Sequence, residues 1–503
     1  MEFLLYFGEV FTPFNFGLLV LGTVFGLIFG ATPGLSPTMT VALAIPFTFK
    51  LEPTAGLILL GALYTSTVAG GAVSAILLRI PGAPANIATT LDGNAMAAKG
   101  EGAKALQLSF LASLVGGLFG VFLLITLTKP LSEWALIFGP SELFWLAILG
   151  VTIIGSLDSK SLVKGLLSGC IGMWLATIGF DDMLGAQRFV FHPSLGGGIN
   201  IIAALIGLFA IPQVITMLAG GRIDTAAQVI QVQKHKITDA MRELVKRSRA
   251  ATIGTFVGSV IGLIPGVGGQ IAGLVAYDQS KKFSSEKDKF GTGHSEGVIA
   301  AEAANNAMVG PSLVPLLTLS IPGSPTAAVL LGGLLIHGIF PGPDLFVNHA
   351  DVAWTFINSM LIGQILMCVL GLLVAGVAAK VAQVPKHVMA AIVLALAVYG
   401  SYSVQTSMGD VYVMATLGVM MFFLERFGFS AAPLVLGLIL GPIAEENFAT
   451  GAMIANATDG LAPYFLTGRL NIILIVLVIA SIAYSGWMEL RSRRYTSKEE
   501  IIG

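Results

Sequence analysis

Gly22-Thr-Val-Phe-Gly-Leu-Ile-Phe-Gly-Ala-Thr-Pro-Gly-Leu-Ser-Pro37 and Gly254-Thr-Phe-Val-Gly-Ser-Val-Ile-Gly-Leu-Ile-Pro-Gly-Val-Gly-Gly269 are copies of one pattern. Aligned without gaps they share Gly22/Gly254, Thr23/Thr255, Gly26/Gly258, Gly30/Gly262, Pro33/Pro265 and Gly34/Gly266. Each reads as an apolar helix with a small residue at every fourth position, broken at Pro-Gly inside a hydrophobic region. Pro and Gly also stop ordinary helices. A break at matching places in two halves of a membrane chain points instead to a pair of discontinuous helices around a substrate site.

The rest of the chain is apolar enough to make that comparison apt. Only 11% of its 503 residues are charged and 55% are hydrophobic, where an ordinary soluble protein carries about 25% charged residues. Mean hydropathy is +0.86. Apolar runs near a bilayer's thickness recur at 106–128, 199–218, 353–379 and 471–484. The expected fold is an all-α polytopic membrane protein of about twelve transmembrane or re-entrant segments. Many of the 61 glycines fall at small-xxx-small spacing, which lets helices approach closely in lipid.

Several function classes drop out. A net charge of −1 without a basic domain offers nothing to nucleic acid. Cys170 and Cys368 sit inside apolar runs, and the six histidines are scattered singly, so neither a disulfide framework nor a metal site is expected. There is no Gly-x-x-x-x-Gly-Lys-Ser/Thr loop for ATP, no His-Glu-x-x-His and no Gly-x-Ser-x-Gly. An enzyme is not expected, nor a bound cofactor. Met1-Glu2-Phe3-Leu4 lacks a basic n-region, so no cleaved signal peptide is expected.

The duplication continues past the broken helices. Ile80-Pro-Gly-Ala-Pro84 is echoed by Ile321-Pro-Gly-Ser-Pro325, Gly155-Ser156 by Gly400-Ser401, and the run ending at Pro212 by the run ending at Pro442. The chain therefore divides into a first transmembrane repeat (1–218), a basic cytoplasmic connector (219–251), a second repeat (252–465), and a final helix with a basic cytoplasmic tail (466–503). The stretch 85–104 reads as a small polar loop. Lysine and arginine concentrate in 219–250, 281–289 and the tail, which places those segments in the cytoplasm. If each Pro-Gly element dips in and returns, each repeat has an odd number of full crossings. The repeats are then inverted and their half-sites face each other at mid-bilayer. If the elements cross fully, the repeats become parallel and 281–289 lies outside.

A larger set of motifs now stands in order: Gly30-Ala-Thr-Pro-Gly-Leu-Ser-Pro37, Ile80-Pro-Gly82, Thr90-Leu-Asp-Gly93, Gln187-Arg-Phe189, Gly262-Leu-Ile-Pro-Gly-Val-Gly-Gly-Gln270, Phe290-Gly-Thr-Gly-His-Ser-Glu-Gly-Val298, Glu302-Ala-Ala-Asn-Asn306, Ile321-Pro-Gly-Ser-Pro325 and His337-Gly-Ile-Phe-Pro-Gly-Pro343. Together they resemble the large membrane subunit of the tripartite tricarboxylate transporters, the TctA family, over essentially the whole length. The resemblance implies a bacterial inner-membrane permease. It implies two partners, a small membrane subunit (TctB-like) and a periplasmic solute-binding protein (TctC-like). It also implies ion-driven uptake of carboxylates such as citrate. The segment 68–74 and His192 depart from the family pattern and leave the substrate open.

Moving a carboxylate requires donors, and the apolar segments contain almost no basic residue; Arg79, at a helix end, is the nearest. Helix N-termini supply backbone N–H groups and roughly half a positive charge each. The expected substrate contacts after the Pro-Gly breaks are Gly34, Ser36 and Thr38 in one repeat and Gly266, Gly268, Gly269 and Gln270 in the other. Around the Ile-Pro-Gly clusters they are Asn86, Thr89 and Thr90, and Ser324 and Thr326. Capping or simple packing is the bland reading of each. Glu302, Asn305 and Asn306 share one helical face and are the candidates for a coupling cation, since an acid in a membrane segment is a functional candidate by default; an interhelical hydrogen bond is the bland reading. Glu445 and Glu446 read as solvated and Asp410 as a helix cap. Importing a trianion against an inside-negative potential costs about 7 kcal/mol per 100 mV, so symport with sodium or protons is expected. A passive anion channel, or a permease for other organic acids (dicarboxylate or aromatic), is the alternative.

Overall fold

The computed structural model describes residues 2–157, 161–181, 185–219, 235–264, 268–381, 384–458 and 460–502. The expected all-α membrane architecture holds. In the first half the helices are α1 (Glu2–Leu5), α2 (Pro13–Ala31), α3 (Pro37–Thr48), α4 (Pro53–Leu78), α5 (Ile87–Ala98), α6 (Gly102–Ala135), α7 (Pro140–Leu157), α8 (Leu162–Ala176) and α9 (Ile201–Ala219). In the second half they are α10 (Ile237–Lys246), α11 (Ser248–Leu263), α12 (Gly268–Phe283), α13 (Ser295–Ala307), α14 (Val309–Leu319), α15 (Pro325–Ile336), α16 (Pro343–Asn348), α17 (Ala350–Val381), α18 (Lys386–Gln405), α19 (Met408–Arg426), α20 (Ala431–Asn456), α21 (Leu461–Leu466) and α22 (Arg469–Ile502). Among the described residues nine helices are long and apolar enough to cross a membrane. The exception to all-helix is a hairpin of β1 (Gly179–Asp181) and β2 (Ala186–Arg188), paired antiparallel.

The two broken helices form as their sequences dictate. α2 stops at Thr32, Gly34 turns the chain with φ +92°, and Ser36 caps α3 by accepting a hydrogen bond from the Met39 N–H at 3.2 Å. In the second copy α11 ends at Leu263 and α12 starts at Gly268; Gly266 lies outside the described residues.

The small residues of α2 and α11 are packing surfaces. A Cβ added at Gly22, Gly26 or Gly30 would lie 3.0, 3.0 or 2.3 Å from the carbonyl oxygens of Leu59, Leu63 and Thr67 on α4. At Gly254, Gly258 and Gly262 it would lie 2.3, 2.2 and 2.6 Å from those of Ala300, Ala304 and Met308. Position for position, the second set is the first set carried through the duplication. Backbone detail repeats in the same register. Arg79 and Ser320 both end their helices in the left-handed region, with φ of 57° and 59°. The N–H of Gly82 reaches back to Gly71 O (3.4 Å), and that of Gly323 to Ser312 O (3.0 Å). Glycine ladders of this kind bring helix backbones into contact without a side chain between them.

Contacts gather the chain into two units that cut across sequence order: residues 1–133 with 213–404, and 134–212 with 405–503. The first unit holds both Pro-Gly breaks and both Ile-Pro-Gly turns. Within it the repeats interlock. Gly116 of α6 packs so closely on α13 that an added Cβ would sit 2.0 Å from Ala303 O, while Gly61 of α4 faces the Phe356 ring of α17. In the second unit α8 and α20 pack through Gly172 and Gly437, each against the other helix's backbone.

Three expectations change. Residues 84–98 are a short 3-10 turn (Pro84–Asn86) followed by α5, where a polar loop was expected. Asp92, Gly93 and Asn94 are weak helix formers, but burial of Ala88, Thr89, Asp92, Gly93, Met96 and Ala97 holds the helix. Glu445 lies inside α20, and in the second unit its carboxylate accepts hydrogen bonds from the two terminal guanidinium nitrogens of Arg188, at 2.5 and 3.1 Å. Asp410 does not cap α19; Ser407 does, accepting from the Gly409 N–H at 3.1 Å.

Candidate functional site

The half-helices that follow the breaks pair across the repeats. Thr38, in the first turn of α3, meets Thr326, in the first turn of α15, with hydroxyl oxygens 2.9 Å apart. Both are buried. Ser324 caps α15 by accepting from the Ala327 N–H at 3.1 Å, and its Oγ lies 2.8 Å from the Tyr64 hydroxyl, which also lies 3.2 Å from Ser312 Oγ. So the start of α3, from repeat one, is joined to the start of α15, from repeat two. The reciprocal pairing also forms. α12 packs on the Pro84–Asn86 turn and on α5, with Gly273 of α12 close enough that a Cβ would lie 3.1 Å from Ala85 O.

The expected substrate residues therefore fall into two places. Thr38, Ser324 and Thr326 gather at the α3–α15 junction, and Ser36 caps α3 one turn before it. Gly34 faces Gln213, whose amide nitrogen lies 2.5 Å from where a Cβ would be. Asn86 and Thr89 lie at the head of α5. Gly268, Gly269 and Gln270 form the first turn of α12. Thr90 stands apart, its hydroxyl bonded at 2.6 Å to the Ile87 carbonyl of its own helix.

Glu302 ties the substrate and cation candidates together. Its carboxylate is fully buried and accepts hydrogen bonds from the Asn86 amide (3.2 Å), the Thr89 hydroxyl and the Ser113 hydroxyl (3.3 Å). All three donors are neutral, and all come from repeat one. Asn305 and Asn306 are buried on the same helix with no hydrogen-bond partner among the described residues. No lysine or arginine is buried among the described residues, and Arg79 is exposed. Buried polar atoms without partners are rare in folded proteins. The acid is confined to one repeat: the duplication that pairs Ser320 with Arg79 pairs Glu302 with Gly61 and Asn305 with Tyr64.

Below this network, α5 is tied to the chain entering α13. Asp92 is buried, and one of its carboxylate oxygens accepts from three backbone N–H groups, those of Gly291 (2.9 Å), Gly293 (2.8 Å) and His294 (2.7 Å). The other accepts from the Tyr277 hydroxyl at 2.8 Å. Next to it Arg247 bonds Glu286 (2.5 Å) and Glu296 (2.8 Å), and lies 3.5 Å from Glu243. Glu286, His294 and Glu296 stand close enough together to hold a metal ion, but the guanidinium already supplies the positive charge there. Hydrogen bonds from Lys289 and then Arg247 hold the Glu286 carboxyl down at about 2. Sequence reasoning singled out neither Tyr64, Ser113 nor Asp92. Asp92 offered one signal, its place in the Thr90-Leu-Asp-Gly93 motif.

The sequence model for the family described as "Tripartite tricarboxylate transporter TctA family" matches residues 16–436. The chain belongs to the TctA family. A protein of Agrobacterium vitis described as "Uncharacterized 52.8 kDa protein in TAR-I ttuC' 3'region" is 33% identical over 490 residues, covering 97% of this chain and 96% of that protein. Another from the same organism, "Uncharacterized protein in TAR-II ttuC' 3'region", is 34% identical over 237 residues, which is 47% of this chain and 97% of the relative. Membership in the TctA family makes the chain the large subunit of a tripartite tricarboxylate transporter, a multi-pass membrane protein of a transporter family. It implies association with TctB and TctC partners.

Proposed function

We propose that this subunit imports a citrate-like carboxylate across a bacterial inner membrane by symport with sodium or protons. A TctC-like periplasmic protein would deliver the substrate and a TctB-like small subunit would complete the membrane part. The observation that carries this reading is the crosswise meeting of Thr38 and Thr326 at the starts of two half-helices, in a core that buries no lysine or arginine among the described residues. An anion there is held by helix-terminal N–H groups and hydroxyls, whose partial charges point the right way. The duplicated element order supports inverted repeats whose half-sites meet at mid-bilayer. Residues 1–218 and 252–465 would be those repeats, joined by the cytoplasmic connector 219–251 and followed by the final helix and basic tail of 466–503. Glu302, with Asn305 and Asn306, would carry the coupling cation, because an isolated carboxylate in a bilayer core needs a partner.

The test is reconstitution of all three proteins in vesicles, with labelled citrate outside and an imposed sodium or proton gradient. Accumulation above the external concentration, only while a sodium or proton gradient stands, is the expected result. Simple equilibration would favour a passive channel, and uptake that survives collapse of both gradients would refute symport. Competition by unlabelled dicarboxylates and aromatic acids would reassign the substrate within the organic acids.

A further inference from the structure

We infer that Glu302 is an internal carboxylate that occupies the substrate's donors while the transporter is empty, and releases them when a monovalent cation neutralises it. The inference rests on the carboxylate reading above and deepens it. Asn86 and Thr89 stand at the head of α5, the helix that follows the first Ile-Pro-Gly turn. Their side-chain donors are what a substrate carboxylate would need at that helix start. Both are spent on Glu302, a carboxylate reaching across from the other repeat. Ser113 holds the second oxygen of the same group.

The site is closed off from the surface, so the competition is sharp. Glu302, Asn86, Thr89 and Ser113 are all fully buried, and a hydrogen bond to a charged group in such surroundings is stronger than the same bond in water. With only neutral donors around it, the ionised carboxylate is costly to bury. A proton on Glu302, or a sodium ion shared with the unpartnered oxygens of Asn305 and Asn306, removes that cost. Either one weakens the hold on Thr89 and Asn86. Cation and substrate then bind cooperatively, and a substrate carboxylate cannot take the donors while Glu302 remains an anion. Because the position equivalent to Glu302 in repeat one is Gly61, the device exists once per chain.

Citrate binding to the detergent-purified membrane complex of this chain with its small subunit, measured by equilibrium dialysis with labelled citrate, tests this. Three conditions are compared: choline chloride at pH 8, sodium chloride at pH 8, and choline chloride at pH 6. In the wild type, sodium or acid should raise citrate affinity by about tenfold or more, and which of them does so identifies the cation. Glu302→Gln, a neutral isostere, should bind citrate with the same affinity in all three conditions. In vesicles it should exchange citrate for citrate yet fail to accumulate it. Thr89→Val should keep the cation dependence but lose about tenfold in citrate affinity. Glu302→Gln protein that elutes like wild type and keeps the cation dependence, or binds no citrate in any condition, overturns the inference. A wild type that binds no citrate under any condition, with or without cation, overturns the carboxylate reading on which it stands.

Discussion

Replacing Asp92 by alanine should free the segment 284–294 from the body of the protein. Asp92 Oδ1 is the acceptor for three backbone N–H groups of the loop before α13, at 2.7 to 2.9 Å, and Oδ2 accepts from the Tyr277 hydroxyl. A net hydrogen bond is worth about 1 kcal/mol and one to a charged group about 1.5–3 kcal/mol. Such bonds are not additive, and an opened loop regains water, so roughly 3–4 kcal/mol is a fair figure for the clamp. That corresponds to about two to three decades in the open population of the loop. Lys287 and Lys289 sit in this segment and become trypsin substrates when it opens. When reclosing is faster than cutting, cleavage tracks the open population. Cleavage after Lys289 in Asp92→Ala, followed by mass spectrometry in detergent, should therefore run about a hundredfold faster than in wild type. Asp92→Asn keeps the Oδ1 acceptor without its charge and should accelerate cleavage by no more than about tenfold. Equal cleavage rates in all three proteins would refute the clamp.

Further expectations follow from single contacts. Gly258→Ala places a methyl 2.2 Å from Ala304 O and should destabilise by about 1–3 kcal/mol; Gly17→Ala, inside α2 with open space around it, should not lower the melting temperature in detergent. A double-mutant cycle with Thr38→Val and Thr326→Val should return a coupling energy near 1 kcal/mol, where independent sites would give none. Glu286 is held at about 2 in the folded protein, by Lys289 first and Arg247 second. A carboxylate with a depressed pKa stabilises above its unfolded value and loses that contribution as pH falls through the folded one. Stability of the loop around Arg247 should decline between about pH 4.5 and 2, and Arg247→Gln should narrow that acid window when thermal melts are compared across pH.

How much of this was written in the sequence varies with the physics of each part. The glycine ladders of α2 and α11 were legible because lipid leaves close packing as their main use, and the duplication named the same positions twice. The Pro-Gly breaks were legible for local reasons, since their geometry is set within four residues; Ser36 was expected as a substrate contact and caps α3. α5 was not. Its sequence, Ile87-Ala-Thr-Thr-Leu-Asp-Gly-Asn-Ala-Met-Ala-Ala98, lacks strong apolar periodicity, and its helix is held by neighbours far along the chain. For the same reason the bonds from Asn86 and Thr89 to Glu302, which cross more than two hundred residues of sequence, could be anticipated only as two separate sets. Tyr64 hid because a tyrosine in an apolar run reads as packing until Ser312 and Ser324 are brought to its hydroxyl.

The most direct test of the crosswise pairing is a cross-link. In a background with Cys170 and Cys368 replaced by serine, the Thr38→Cys, Thr326→Cys double variant should form an intramolecular disulfide under mild oxidation in vesicles, because the two hydroxyls stand 2.9 Å apart. Citrate together with the coupling cation should slow its formation, since the substrate would sit between those helix starts. Failure to cross-link with or without substrate, or a rate that citrate does not change, would contradict the account.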